Sequence, residues 1–339
     1  MKIALTICSN NYLAQALVLS ESFLSYNPEY YFVLGIADTR HEQINYSMFD
    51  KVEVIFIEEL GIEDFSELKL KYNIIELNTC FKPIIIKYLL EKYKQASSIC
   101  YLDPDILITN KFTCIEDEIR NFNVLLTPHI ITPIPDDDCH PKENLFLKYG
   151  IFNLGFIYLN RSKETDILID WWDSRVRKYG FMDSKNGYFT DQLWVNFFPV
   201  FFEKIKVSKN LGLNMAVWNL HERFITIEDE KFFINNKYPL IFFHFSGFSP
   251  YYNTHLSDIK YDRYNLLNRA DLLEICEVYR QKLIRNNYVY FTKIEYGFKN
   301  MVAADANEKK NASKSFIAKA RIKRVIEKSI SKIISIIKD

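Results

Sequence analysis

The chain has 339 residues, 48% of them hydrophobic and 16% aromatic, which excludes a disordered protein and allows a large α/β core with an appendage. Its 43 basic and 43 acidic residues balance, so no overall charge drives it onto nucleic acid. The balance is uneven along the chain. From Lys309 to Asp339 ten Lys and Arg stand against only Glu327 and Asp339, which leaves 33 basic and 41 acidic residues in the 308 that precede them.

Residues 2–8 (KIALTIC) read as a buried strand, followed by an amphipathic helix over 13–25. Then come a strand at 31–37, a helical stretch, a strand at 52–57, a helix from about 78 to 93 and a strand ending in YLD at 101–103. Such alternation predicts α/β architecture, a mostly parallel central sheet flanked by helices. NVLLTPH (123–129) is another strand. The segment 130–149, with three prolines and the run Asp136, Asp137, Asp138, reads as a long mobile loop of the kind that forms lids. GFIYLN (155–160) is a strand, 162–178 a helix in which Trp171 and Trp172 serve packing, and LIFFHF (240–245) the last strand of the central core. Beyond it, 264–284 and 315–338 are expected helices. The partition is a catalytic-type domain at 1–250, a helical extension at 251–308 and a basic amphipathic helix at 309–339.

Six cysteines show no CxxC spacing and several lie in apolar runs, as expected of reduced thiols in a cytoplasmic protein rather than a disulfide frame or zinc site. The first strand is too short for a signal peptide, and no stretch reaches the roughly 18 to 20 apolar residues that span a bilayer.

Within SSICYLDPDILITN (97–110) two acids, Asp103 and Asp105, interrupt an otherwise apolar run around Pro104. Carboxylates so close to a core need a positive partner. Two of them flanking one residue can reach a single divalent cation, and hard carboxylate oxygens suit Mn²⁺ or Mg²⁺. In open α/β sheets ligands collect at the carboxyl ends of strands, where both this pair and the cluster Ser9, Asn10, Asn11 and Tyr12 fall. His244, at the end of another apolar strand, is either a hydrogen-bonded core histidine or a third ligand. Gly247 after it allows close backbone approach.

The order YLDPDILIT, FNLGFIYLN, FTDQLWVNFF and FHFSG resembles nucleotide-sugar glycosyltransferases of the GT-A fold, especially glycosyltransferase family 8, the glycogenin and lipopolysaccharide galactosyltransferase group. It is closer still to a bacterial surface-polysaccharide transferase family carrying KP, YLDPDI, LTPH, NLGF, DQ, WNLH and FHFSGF. Here these are Lys82-Pro83, 101–106, 126–129, 153–156, Asp191-Gln192, 218–221 and 243–248. The resemblance implies that Asp103, Asp105 and His244 hold Mn²⁺ (or Mg²⁺), which holds the diphosphate of a UDP-sugar, while Ser9, Asn10, Asn11 and Tyr12 bind the nucleotide. It places Asn153 and Gly155 near the donor sugar and Asp191 and Gln192 against the ring as the catalytic pair. Lys82, Gly247 and His221 join the donor site, with loop packing the other reading of His221. Family 8 members usually follow the histidine motif with a diphosphate-binding lysine. This chain has Phe248, Ser249 and Pro250 there, so Lys82 or Arg223 is expected to supply the missing charge.

The implied reaction moves a sugar from the nucleotide donor to a bacterial surface glycan, free or lipid-linked, with retention of configuration. Inversion would instead make Asp191 the general base. Two other readings of the residues stay open, a haloacid-dehalogenase-like phosphohydrolase and a non-catalytic sugar-nucleotide or glycan-binding module. The acids at 136–138 with His129 and His140 are expected to face solvent rather than hold a second metal. On the final helix an isoleucine stripe flanked by Lys and Arg fits an anionic membrane surface, this protein's own body, or a second copy of the chain.

Overall fold

Alternating buried strands and amphipathic helices build this protein in chain order. The structure, a computed structural model, describes residues 1–259 and 261–298. The first half comprises β1 (Lys2–Cys8), α1 (Leu13–Tyr26), β2 (Tyr30–Ile36), β3 (Val52–Phe56), α2 (Phe65–Lys71), α3 (Ile74–Lys92), β4 (Ser98–Leu102), β5 (Ile106–Ile108), α4 (Thr113–Ile119), β6 (Val124–Pro128), α5 (Glu143–Tyr149), β7 (Phe152–Asn160) and α6 (Lys163–Tyr179). Short strands β8 (Met182–Asp183) and β9 (Tyr188–Phe189) precede α7 (Phe198–Phe201) and β10 (Ile205–Val207). There follow β11 (Ile225–Glu228), β12 (Lys231–Ile234), β13 (Tyr238–Pro239), β14 (Phe242–His244), α8 (Leu273–Arg285) and α9 (Tyr288–Phe291).

Seven strands form the central sheet in the order β10-β6-β7-β4-β1-β2-β3. All neighbours pair in parallel except β7, which runs against both β4 and β6. The sheet is therefore mixed and mostly parallel. Alternation along β1 sends Ile3, Leu5 and Ile7 into a core with Phe81 and Ile85 of α3 and Trp172 of α6, and Ala4 into another with Phe23 of α1. Helices thus cover both faces, as a buried parallel sheet requires.

Three expectations change. The helix over 78–93 begins earlier, because Asn73 accepts from the backbone of Ile75 and Glu76 while Glu76 accepts from the backbone of Asn73. That capping box is the start signal, and Pro83 lies inside the helix without a donor for its turn. The helix expected over 264–284 begins only at a 3₁₀ turn over Ala270–Leu272. The segment LIFFHF does not join the central sheet. Its β14 pairs antiparallel with β5, directly after the two acids, in a separate two-stranded ribbon.

The segment 130–149 is tied down at several points. Glu222 accepts from the backbone of Ile131 and Thr132, Glu143 from Ile134, and Arg263 pairs with Asp137. The described residues beyond 250 pack on the same cores as the sheet helices. Tyr279 of α8 stacks on Phe245 at 4.0 Å between ring centroids, and Ile275 and Leu283 share a cluster with Leu13 and Leu17 of α1. The basic terminal helix expected at 309–339 lies outside the described residues. Truncating Tyr279 to Ala removes a fully buried ring against Phe245 and Phe248. It should cost about 3–5 kcal/mol of stability, read by chemical denaturation of the full chain.

Candidate active site

The site forms where β4 ends. Pairing of β5 with β14 sets His244 opposite Ile106, and the bond from Phe245 N to Asp105 O (2.8 Å) locks that register. The imidazole Nε2 then lies 3.1 Å from Asp105 Oδ1 and 3.8 Å from Asp103 Oδ2. Ligating atoms of all three residues fall within 4.8 Å of one another. Neighbouring ligands of an octahedral ion with bonds of about 2.1 Å stand about 3 Å apart, so two carboxylates and an imidazole at these separations fit a small divalent cation with positions left open. Burial would hold the His244 proton affinity down, but Asp105 and then Asp103 outweigh it and raise its pKa.

Asp103 divides its two oxygens. Oδ1 accepts from the Tyr101 hydroxyl at 2.7 Å and lies 3.5 Å from Lys82 Nζ, while Oδ2 faces His244. Lys82 is almost wholly buried, donates to the Leu154 carbonyl at 2.9 Å and stands 3.2 Å from Asp191 Oδ2. Burial alone would lower its pKa, yet Asp103 and Asp191 reverse the direction and keep it charged. Burial raises the pKa of Asp191 against the opposing pull of Lys82. Asp191 Oδ2, although within ion-pair range of that ammonium, accepts no aligned hydrogen bond. It is a buried acceptor with spare capacity beside the acid pair.

Gln192 is placed differently from its neighbour. Its Oε1 accepts from Leu154 N at 3.0 Å and its Nε2 donates to the Tyr149 carbonyl at 2.9 Å, so the amide ties the start of β7 to the end of α5. Thr190, just before the pair, has φ of 46°, and the turn after it is a 3₁₀ helix over Leu193–Phe197. Trp172 packs as expected and donates to the Asp191 carbonyl at 3.3 Å.

A cavity of about 420 Å³ adjoins the acids and is lined by Ser9, Asn11, Tyr12, Asn78, Asp103 and Asp105 among others. Buried Oδ1 atoms of Asn11 and Asn78 have no partner among the described residues. Asn10 is instead consumed by the fold: its N–H donates to Asp38, its Nδ2 to Thr39 O, and its Oδ1 accepts from Tyr46. Asp38, which sequence reading passed over, also accepts from Thr39 N and Gly297 N and so ties this loop to the stretch that follows α9. A larger cavity, about 590 Å³ around Tyr252, His255 and Arg263, holds none of the acids or the imidazole of the proposed centre.

Other expected residues lie elsewhere. His221 Nε2 faces the Thr132 carbonyl at 3.1 Å, within the loop after β6. Arg223 is spent on Glu222 and the Leu213 carbonyl, which leaves Lys82 as the cation at the acids among the described residues. Gly247 has φ of +69°, and a Cβ there would meet Asp258 Oδ1 at 1.9 Å, so the close approach is made by the protein's own chain. Among the described residues the acids at 136–138 join no metal-type cluster. Asn153 and Gly155 do border the centre. A Cβ on Gly155 would fall 2.3 Å from His244 Cε1. Gly155→Ala should therefore push the imidazole out of register, lowering stability by about 1–3 kcal/mol. Calorimetry should also show weaker Mn²⁺ binding; unchanged metal affinity would contradict this placement.

The model of the family described as glycosyl transferase family 8 matches residues 3–192. Two relatives from Bacillus subtilis (strain 168) are the uncharacterized proteins YfnD and YfnF. YfnD is 25% identical over 72% of this chain and 77% of its own length, and YfnF 23% identical over 82% and 90%. Among solved structures, an active-site mutant of LgtC aligns over 83% of this chain and 95% of its own at 16% identity, with a TM-score of 0.47. The galactosyltransferase LgtC with donor and acceptor sugar analogues aligns over 64% and 76% at 18% identity, with a TM-score of 0.40. With more than half of its length matched by the family model, this chain belongs to glycosyl transferase family 8 and is a glycosyltransferase of GT-A-like fold.

Proposed function

We propose that the protein transfers a sugar from a nucleoside diphosphate donor, a UDP-sugar, to a bacterial surface glycan, free or lipid-linked, with retention of configuration. The observation that carries the reading is the convergence of Asp103, Asp105 and His244 at the mouth of the cavity lined by Ser9, Asn11 and Tyr12. Membership of the family sets aside the phosphohydrolase and the non-catalytic binder.

Asp103, Asp105 and His244 would hold Mn²⁺ or Mg²⁺. When bound, the ion supplies a Lewis acid that offsets charge on the departing diphosphate without a proton. The unpartnered oxygens of Asn11 and Asn78 accept from the N–H or O–H groups of the nucleoside. Lys82, already between Asp103 and Asp191, keeps the acidic pocket from repelling an anionic donor and takes the place of the lysine missing after Gly247. Positive charge that develops at the anomeric carbon is stabilised by a carboxylate or amide oxygen. The amide of Gln192 is held by two backbone groups, whereas Asp191 Oδ2 is buried and unaligned. That contrast favours Asp191 for the role.

Localisation follows as part of the same reading. Among the described residues no helix is long and apolar enough to cross a membrane. The protein works on the cytoplasmic face, with the basic stretch 309–339 on anionic lipid, where each Lys or Arg near the surface contributes about 1 kcal/mol. Deleting residues 315–339 should move the enzyme from membrane to soluble fractions, and an unchanged distribution would defeat this part.

A panel of UDP- and GDP-sugars tests the main claim. Donor turnover should vanish with chelator and return with Mn²⁺. Asp105→Asn and Asp191→Asn should each lower kcat/KM by roughly 10²–10³-fold. Turnover indifferent to chelation would sink the metal-held donor, and an inverted anomer by NMR would sink retention.

A further inference from the structure

Behind the three metal-type ligands runs a buried polar chain. His244 Nδ1 lies 3.2 Å from Asn214 Oδ1, and Asn214 Nδ2 lies 3.0 Å from both Thr127 Oγ1 and Asn153 Oδ1. Asn153 Oδ1 also faces Gly155 N at 3.1 Å, its Nδ2 faces His129 Nε2 at 3.3 Å, and His129 Nδ1 faces the Ile151 carbonyl at 3.2 Å. His129, Asn153, Asn214 and His244 are all buried.

Two backbone groups on this chain, the Ile151 carbonyl and Gly155 N, allow one direction only. The Ile151 carbonyl can only accept, so His129 carries its proton on Nδ1 and offers Nε2 as an acceptor. Burial, which lowers the His129 pKa to about 4, agrees with a neutral ring. Asn153 therefore turns its NH₂ to His129, and its Oδ1 takes the proton of Gly155 N. Asn214 must then present its NH₂ to Asn153 Oδ1 and its carbonyl oxygen to His244. That oxygen needs a proton from Nδ1, so the nitrogen that gives up its proton to ligate a cation is Nε2, which faces the two aspartates. The backbone enforces the placement: His244 N donates to the Met215 carbonyl at 2.8 Å, next to Asn214, and Asn214 sits at φ of 54°, where Asn is well tolerated.

We propose that Asn214 is a positioning residue for metal binding: held in one orientation by Asn153, His129 and Thr127, it fixes His244 as the Nδ1–H tautomer with Nε2 free to ligate. The proposal rests on the reading of Asp103, Asp105 and His244 as the metal site. Outer partners of ligating histidines characteristically orient the ring and raise its basicity, and losing one costs 10–100-fold in metal affinity.

The test uses the full-length protein and Mn²⁺ alone, with free ion counted by electron paramagnetic resonance. Asn214→Gly removes the side chain without straining the left-handed backbone, and Asn214→Asp keeps the acceptor for Nδ1–H. Gly should weaken Mn²⁺ binding 10–100-fold and Asp should restore most of it. In a His244→Ala background the Gly change should add less than about twofold, since the relay acts only through that ring. Nitrogen NMR of the Mg²⁺-loaded parent should show the proton on His244 Nδ1. A folded Asn214→Gly variant that binds Mn²⁺ like the parent, an equal loss with His244 already removed, or a proton on Nε2 would overturn the proposal. Parent affinity unaffected by Asp105→Asn would instead overturn the metal site itself. Should Asn214→Gly fail to fold, the Asp variant and the parent tautomer decide alone.

Discussion

The site depends on one strand pairing. β5 is three residues long and begins directly after Asp105, and β14 lies against it so that His244 meets Ile106. Strand side chains alternate between faces, so slipping this ribbon by one residue would turn the imidazole away and bring Phe243 or Phe245 to the acids. The hydrophobic neighbours oppose such a slip. Phe242 packs on Phe112 and Phe156, and Phe245 stacks on Tyr279, so each is held by a different wall of the core. An aromatic zipper thus fixes the position of a polar group, and Gly155 on the adjacent β7 leaves the space the ring occupies.

Charge balance is the second constraint. Two carboxylates meet one buried ammonium, with Lys82 bridging Asp103 and Asp191 and its Nζ over the Tyr101 ring, while Asp105 faces His244. Isolated buried charges are expensive, whereas paired ones are held in place by the cost of breaking them. The arrangement leaves an excess of negative charge on the side of Asp105 and His244, where a cation would sit. One excess orients the other: Tyr101 and Lys82 occupy Oδ1 of Asp103 and turn Oδ2 outward.

Much of this was legible in the sequence because it is carried by local signals. Periodicity marked β1, α1, β2 and α6, and the interruption of an apolar run by Asp103 and Asp105 marked the metal-type acids. Ordered motifs carried the family. What escaped depends on contacts distant in sequence. Asn214 sits in LNMAVWN, an unremarkable stretch, and its meaning appears only when His244 and Asn153 are brought to it. The surroundings of Gln192 and Arg223 were hidden for the same reason, since polar residues near a motif are as readily bound to backbone carbonyls as to a ligand. The start of α3 was the opposite case, a capping box present in Asn73 and Glu76 but passed over by a periodicity that marked the helix only from about 78.

The account turns on where a divalent ion sits. Crystals grown with Mn²⁺ and UDP, measured for anomalous scattering at the manganese edge, address it directly. One peak bonded to Asp103, Asp105 and His244 Nε2 and to the diphosphate oxygens is the result required. A peak elsewhere, or bound UDP with no metal between the acids and the phosphates, would contradict it.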